Sequence, residues 1–190
     1  MTNYEKEIDE YYRIEIETLK KLNLSEINEA MNAILECYKN DGTIYICGNG
    51  GSATTASHMA CDFNKGVNEY LDDKKIRFVS LCDNIAIMTA ISNDISYEDV
   101  FVHQIEKKLF SNDILIVISG SGNSRNIIKV LEYAKSQRCK TIAISGYNGG
   151  KIKELADYNM HVPLNDMMKV EDIHMSFDHM IATIFINHLK

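Results

Sequence analysis

The chain has 190 residues, with 20 Lys+Arg against 27 Asp+Glu and a formal net charge of -7. That length predicts one domain with a core that needs no staples, and 45% apolar with 25% charged residues is ordinary globular composition. No apolar run approaches the roughly 20 residues that span a bilayer, the first residues lack the apolar stretch of a secretory leader, and the acidic balance argues against nucleic acid.

Residues 1–40 read as two helices. Ile8, Tyr12, Ile16 and Leu19 recur at helical spacing. Asn23-Leu-Ser25 interrupts, with Ser25 and Asn28 as the expected N-cap signal, and Ile27, Met31, Ile34, Leu35 and Tyr38 then share one side. Asn40-Asp-Gly42 stops the second helix with turn chemistry. The pattern then changes to short apolar runs at 43–47, 76–81, 114–118 and 141–145, with a weaker one at 158–162. Helical stretches at 53–64, 85–91, 99–109 and 126–137 lie between them, and a last helix runs from about Val170 to His188, after the single proline, Pro163. Strands alternating with helices imply βαβ units and a parallel sheet buried on both faces. The expected architecture is a three-layer αβα sandwich with a five-stranded parallel sheet. It forms one domain over 1–190, with the helices of 1–40 packing on that domain or on an oligomer interface.

Cys37, Cys47, Cys61, Cys82 and Cys139 are odd in number and include no CxxC pair. They read as small apolar residues in a reducing compartment, so a cytoplasmic location is expected.

Two strand-to-helix loops carry the chemistry. The first is Gly48-Asn-Gly-Gly-Ser-Ala53, the second Ser119-Gly-Ser-Gly-Asn-Ser124. In open α/β sheets ligands sit outside the carboxyl ends of strands. Glycines let the backbone approach an anion, the following helix supplies free N–H groups, and Ser52, Ser119, Ser121 and Ser124 add hydroxyl donors. The first loop also fits the dinucleotide pattern G-x-G-x-x-A, but that pattern wants an acid about 20 positions on at the end of the next strand; here that strand ends at Leu81, and Asp83 lies well beyond the spacing. No Gly-Lys-Ser/Thr follows either loop, so neither is a P-loop. No nucleotide cofactor is expected.

His58 and Asp62 are four apart, on one helical face two turns beyond the first loop. Glu171, His174, Asp178 and His179 fall on the last helix, where pattern alone reads a polar outer face.

The segments GNGGSATTASHMACDF, AISNDISYEDVF, ISGSGNSRNII and VEDIHMSFDH resemble the sugar isomerase (SIS) family, and within it the phosphoheptose isomerases. The resemblance runs from about Tyr11 to the C-terminus and implies a flavodoxin-like fold. It implies an aldose–ketose isomerase that converts sedoheptulose 7-phosphate to a heptose 7-phosphate through an enediol. It implies Asp62 and His179 as catalytic groups, with zinc held by His58, Asp62, Glu171 and His179. Asn49, Gly50, Gly51, Ser52, Asn93, Asp94, Ser119, Gly120, Ser121, Ser124 and Glu171 would bind the substrate. A homotetramer with active sites between subunits is implied as well, with no direct contact to nucleic acid or membrane. Four positions depart from the family: Asp62 stands for a glutamate, Glu171 for a glutamine, Gly66 for an arginine and Met168 for an aspartate. Residues eight apart on a helix are separated by roughly 12 Å, so Glu171 and His179 of one chain cannot easily share an ion. The departures motivate an alternative, a non-catalytic family member that binds a phosphosugar or bridges partners.

Overall fold

The computed structural model describes residues 2–72 and 74–189. Helices α1 (Glu5–Leu19) and α2 (Leu24–Lys39) precede β1 (Ile44–Gly48), α3 (Gly51–Cys61), β2 (Phe78–Ser80), α4 (Ile85–Asp94) and the short α5 (Val102–Ile105). Then come β3 (Ile114–Ser119), α6 (Arg125–Ser136), β4 (Lys140–Ser145), α7 (Gly150–Leu155), β5 (Tyr158–His161) and α8 (Met167–Leu189). The five strands are all parallel, in the order β2-β1-β3-β4-β5.

Strand alternation divides the core. Ile114, Ile116 and Ile118 of β3 face one layer, with Ile27 and Ile34 of α2, Met59 of α3, and Ile173, Phe177 and Ile181 of α8. Leu115 and Val117 face the other, with Ile91 of α4, Ile105 of α5, and Ile127, Val130 and Leu131 of α6. This is the expected three-layer sandwich. Its strands carry apolar residues on both faces because helices cover both.

Several local expectations differ. Asn23, not Ser25, caps α2; its side-chain oxygen accepts from the N–H groups of Ser25 and Glu26. The stretch 99–109 is not one helix but a 3₁₀ turn (Tyr97–Asp99) followed by α5. Burial of Val100, Phe101, Val102 and Ile105 against the sheet decides its path. The six-residue α7 lies between β4 and β5, where the sequence pattern predicts no helix. The stripe Ile8, Tyr12, Ile16 and Leu19 faces solvent, at 43–59% exposure. Instead α1 attaches to α8 through Tyr11, whose hydroxyl donates to Asp172 and whose ring lies 4.2 Å below the Lys169 ammonium.

His174 of α8 is 1% exposed and stacks near Phe177. Neither ring nitrogen has a hydrogen-bond partner at ordinary distance among the described residues. Burial lowers its pKa to about 4, offset only in part by the nearby Ser145 backbone. In the unfolded chain this imidazole takes up a proton below about pH 6.5; in the folded chain it waits until about 4. The unfolded state therefore binds more protons between those values, and stability falls as pH drops through that window. The lead of His174→Met over wild type should widen by about 3 kcal/mol between pH 7 and 4, read from urea midpoints. A constant difference across that range would contradict the buried neutral imidazole.

Candidate active site

β1 and β3 are neighbours, with Gly48 opposite Ile118. The chain leaves β1 toward the layer that holds α3 and α8, and leaves β3 toward the layer that holds α6. The crevice between two such strands is the topological switch point of an open sheet, where ligands bind. Both glycine–serine loops open onto it. Their tie is a pair of amides: Asn49 Nδ2 donates to Asn126 Oδ1 and Asn126 Nδ2 donates to Asn49 Oδ1, each at 2.9 Å. Tyr97 adds a hydroxyl bond to Asn49 Oδ1 at 2.9 Å. Asn126 is 2% exposed. Sequence reasoning found Asn49 but missed Asn126 and Tyr97, because nothing local marks a residue whose partner lies across the sheet.

The second loop is a donor cradle. Ser119 is buried, its Oγ 3.4 Å from that of Ser124 and accepting from the Gly122 N–H at 3.2 Å. Ser121 Oγ accepts from the Asn123 N–H at 3.3 Å. Ser124 stands at the N-cap of α6 and makes no side-chain capping bond there among the described residues, which leaves its hydroxyl beside that of Ser119 at a helix start that favours an anion. Gly122 has φ 66°, and a Cβ there would meet the Gly149 carbonyl oxygen at 1.9 Å. Only glycine closes this turn. Gly120 packs under Met167 of α8.

The first loop has a different companion. Gly50 and Gly51 are exposed, and Ser52 is buried with its N–H on the Asn49 carbonyl. A Cβ on Gly51 would stand 2.4 Å from Oε2 of Glu171. The Glu171 carboxylate therefore rests against the start of α3, where the helix dipole favours negative charge. Asn93 and Asp94 end α4, exposed and bonded to each other at 2.8 Å; Asn93 shares a groove with Cys82, Met88 and Tyr97.

Further along, α8 crosses α3. His58 Nε2 lies 3.2 Å from His179 Nε2 and 3.5 Å from Asp62 Oδ2, and His179 Nε2 lies 3.9 Å from the same oxygen. Asp178 completes the group: one ligand atom from each of the four lies within 4.8 Å of the others. Asp62 begins a π-helical turn, Asp62–Gly66, which interrupts the regular helix at the point where its carboxylate is presented. The two imidazoles are about half exposed, whereas Asp178 is 1% exposed and neither of its oxygens has a hydrogen-bond partner among the described residues. Burial raises the Asp178 pKa to about 7, the nearby Asp62 charge adds to this, and His58 opposes it.

Glu171 is not in this cluster. Of the other two departing positions, Gly66 has open space where a side chain would point, and Met168 is 67% exposed. The crevice thus joins a neutral donor cradle to a patch of two imidazoles and two carboxylates. The first suits an anionic group, the second proton transfer or a divalent cation.

The SIS domain model matches residues 5–146. The chain belongs to the SIS domain family. It is 38% identical over 162 residues to a phosphoheptose isomerase of Helicobacter pylori, covering 85% of this chain and 83% of that protein. A phosphoheptose isomerase of Aliarcobacter butzleri is also 38% identical, over 92% of this chain and 89% of its own length. The solved phosphoheptose isomerase of Neisseria gonorrhoeae superposes with a TM-score of 0.87 at 28% identity, covering 96% of this chain and 98% of that one. In this SIS chain the amide pair holds the two loops together. Asn126→Ala should destabilise the fold by about 1–3 kcal/mol by orphaning Asn49, measured by urea unfolding. A change inside roughly 0.5 kcal/mol, the range of ordinary surface substitutions, would mean the pair holds nothing.

Proposed function

We propose that this chain is an aldose–ketose isomerase of phosphorylated sugars, interconverting sedoheptulose 7-phosphate and a heptose 7-phosphate. The observation that carries the reading is the pairing of a neutral anion cradle with the His58–Asp62–His179 group in one crevice. Similarity to phosphoheptose isomerases along most of the chain supports the same substrate class.

The sugar phosphate is held by Ser119, Ser121 and Ser124 with the amides of the second loop. Neutral donors and a helix dipole grip it, so the net charge of -7 is no obstacle. Asn49, Gly50, Gly51 and Ser52 line the sugar from the first loop, with Glu171 placed to accept hydroxyl bonds, and Asn93 and Asp94 bound the far end. Asp62 turns Oδ2 to the imidazoles. Its Oδ1 makes no hydrogen bond among the described residues, so it can take the proton alpha to the substrate carbonyl. His179, within 3.9 Å of that carboxylate, then exchanges a proton with the neighbouring oxygen or carbon. The proton returns to the adjacent carbon of the enediol, which completes the isomerisation. One group must be ionised and one protonated, so turnover follows a bell-shaped pH profile.

The donor set also fits zinc. Two imidazoles on one tetrahedral zinc put their nitrogens about 3.3 Å apart, given Zn–N distances of about 2.0–2.1 Å; His58 and His179 stand at 3.2 Å. His58, Asp62 and His179 would hold the ion. When bound it polarises the carbonyl and stabilises negative charge on its oxygen.

We assign the whole chain to one catalytic domain that assembles as a homotetramer in the cytoplasm. Exposed apolar residues on α1 and at Ile85 support the assembly. Five free cysteines support a reducing compartment.

Asp62→Asn should lower kcat at least about a hundredfold, the usual worth of a positioned acid–base group, while leaving binding of the ketose phosphate measurable by calorimetry. Ser124→Ala should act mainly on KM. Undiminished turnover by the Asp62 variant would remove the base from the scheme. Tight binding of a ketose phosphate by a wild-type protein that turns over none would favour the non-catalytic alternative.

A further inference from the structure

We infer that Asn64 is a positioning residue for Asp62: it pins the π-helical turn to the edge strand β2 and so fixes the direction of the Asp62 carboxylate. The catalytic consequence rests on the reading above that Asp62 moves the substrate proton; the geometry does not.

Among the described residues β2 is an edge of the sheet. It bonds β1 through alternate residues, with the Ile44 N–H on the Arg77 carbonyl and the Leu81 N–H on the Ile46 carbonyl. The backbone groups of Ile76 and Phe78 therefore point away from β1, to the side without a neighbouring strand. Two asparagine amides meet them there. Asn64 Nδ2 donates to the Phe78 carbonyl at 2.8 Å, and Asn64 Oδ1 accepts from the Phe78 N–H at 3.1 Å. Asn68 Nδ2 donates to the Ile76 carbonyl at 2.9 Å, and its Oδ1 accepts from the Ile76 N–H at 2.8 Å. One helical turn rises about 5.4 Å and two strand residues about 6.6 Å, so residues four apart on a helix can address alternate residues of a strand. The two side chains stand in for a sixth strand.

This clamp sits on the segment that presents Asp62. The Val67 N–H reaches five residues back to the Asp62 carbonyl, as well as to that of Phe63. Such a π turn is rare and concentrates at functional sites. Phe63 is buried and stacks on Phe78 at 4.2 Å, with the Phe185 ring of α8 edge-on at 6.0 Å. Ring stacking accepts a range of offsets. A paired amide does not, because both of its bonds need one orientation. Asn64 stands two residues beyond Asp62, roughly 200° around a regular helix. With Asn64 held on β2, Asp62 is directed to the opposite side, where α8 brings His179. Asn64 is exposed, so water can replace much of what its bonds give to stability. What they add is direction.

The test compares full-length variants by crystal structure and by isomerisation kinetics with sedoheptulose 7-phosphate. In Asn64→Ala the Asp62 carboxylate should move from His58 and His179 by about 1 Å. A misplacement of that size costs up to about a hundredfold in rate, so kcat should fall at least about tenfold while KM stays within about threefold. Asn64→Ser makes the same comparison should alanine disturb folding. Asn68→Ala removes a buried amide and should lower the melting temperature more than Asn64→Ala does, and kcat less. Added to Asp62→Asn, the change Asn64→Ala should lower kcat no further, since a residue that acts only through Asp62 has nothing left to position. Wild-type placement of Asp62 in the Asn64→Ala crystal structure would overturn the proposal. So would a loss of kcat that persists undiminished in the Asp62→Asn background, which marks general loosening. If the wild-type protein turns over none, the isomerase reading fails, and the crystal structure alone decides the positioning.

Discussion

The site depends on a crossing: β1 and β3 lie side by side, yet the chain leaves them toward opposite faces of the sheet. That reversal opens a crevice that no helix fills, and it turns two helix N-termini toward one space. Two asparagine amides, joined by paired 2.9 Å bonds, hold its walls in register. Pairing both amides fully is what makes their partial burial tolerable. The serine cradle, the Glu171 contact and the approach of α8 are all arranged about this tie.

The second constraint is the helix α8. One side of it is core, with Ile173, Phe177 and Ile181 against the sheet. Its middle carries His179 and Asp178 across to His58 and Asp62. A helix anchored by that apolar face is stiff, so the cluster it completes is held by packing and not by loop conformation. Asp178 is buried beside this group without a hydrogen-bond partner among the described residues, and burial raises its pKa to about 7. A net charge of -7 is globally unfavourable to an anionic ligand. The cradle answers this by using hydroxyls and amides, which carry no formal charge.

Much of this was legible in the residues, and the limits are physical. The strands 44–48, 114–119 and 140–145 announce themselves because a doubly covered parallel strand must be apolar throughout. The two loops announce themselves because only small residues let backbone amides face a ligand. His58 and Asp62 were paired by helical spacing alone. Asn126 and Tyr97 were not readable, since their partner lies across the sheet. Asp178 was set aside as part of a polar outer face, because its period cannot reveal that α3 covers that side. The apolar stripe of α1 is expected to pack on the domain or on an oligomer interface; it is exposed in the single chain, and periodicity alone does not distinguish those two uses. Helix geometry already separates Glu171 from His179 of the same chain by roughly 12 Å, and within one chain the Glu171 carboxylate lies against Gly51.

The central claim is that this crevice moves a proton between adjacent carbons of a bound sugar phosphate. Incubation of the protein with sedoheptulose 7-phosphate in deuterated water, followed by proton NMR, tests it most directly. The account predicts that solvent deuterium appears on the carbon beside the carbonyl, in product and in recovered substrate, at a rate that collapses when Asp62 is replaced by asparagine. A sugar phosphate that binds in the crevice and keeps every carbon-bound proton through prolonged incubation, with and without zinc, would contradict it.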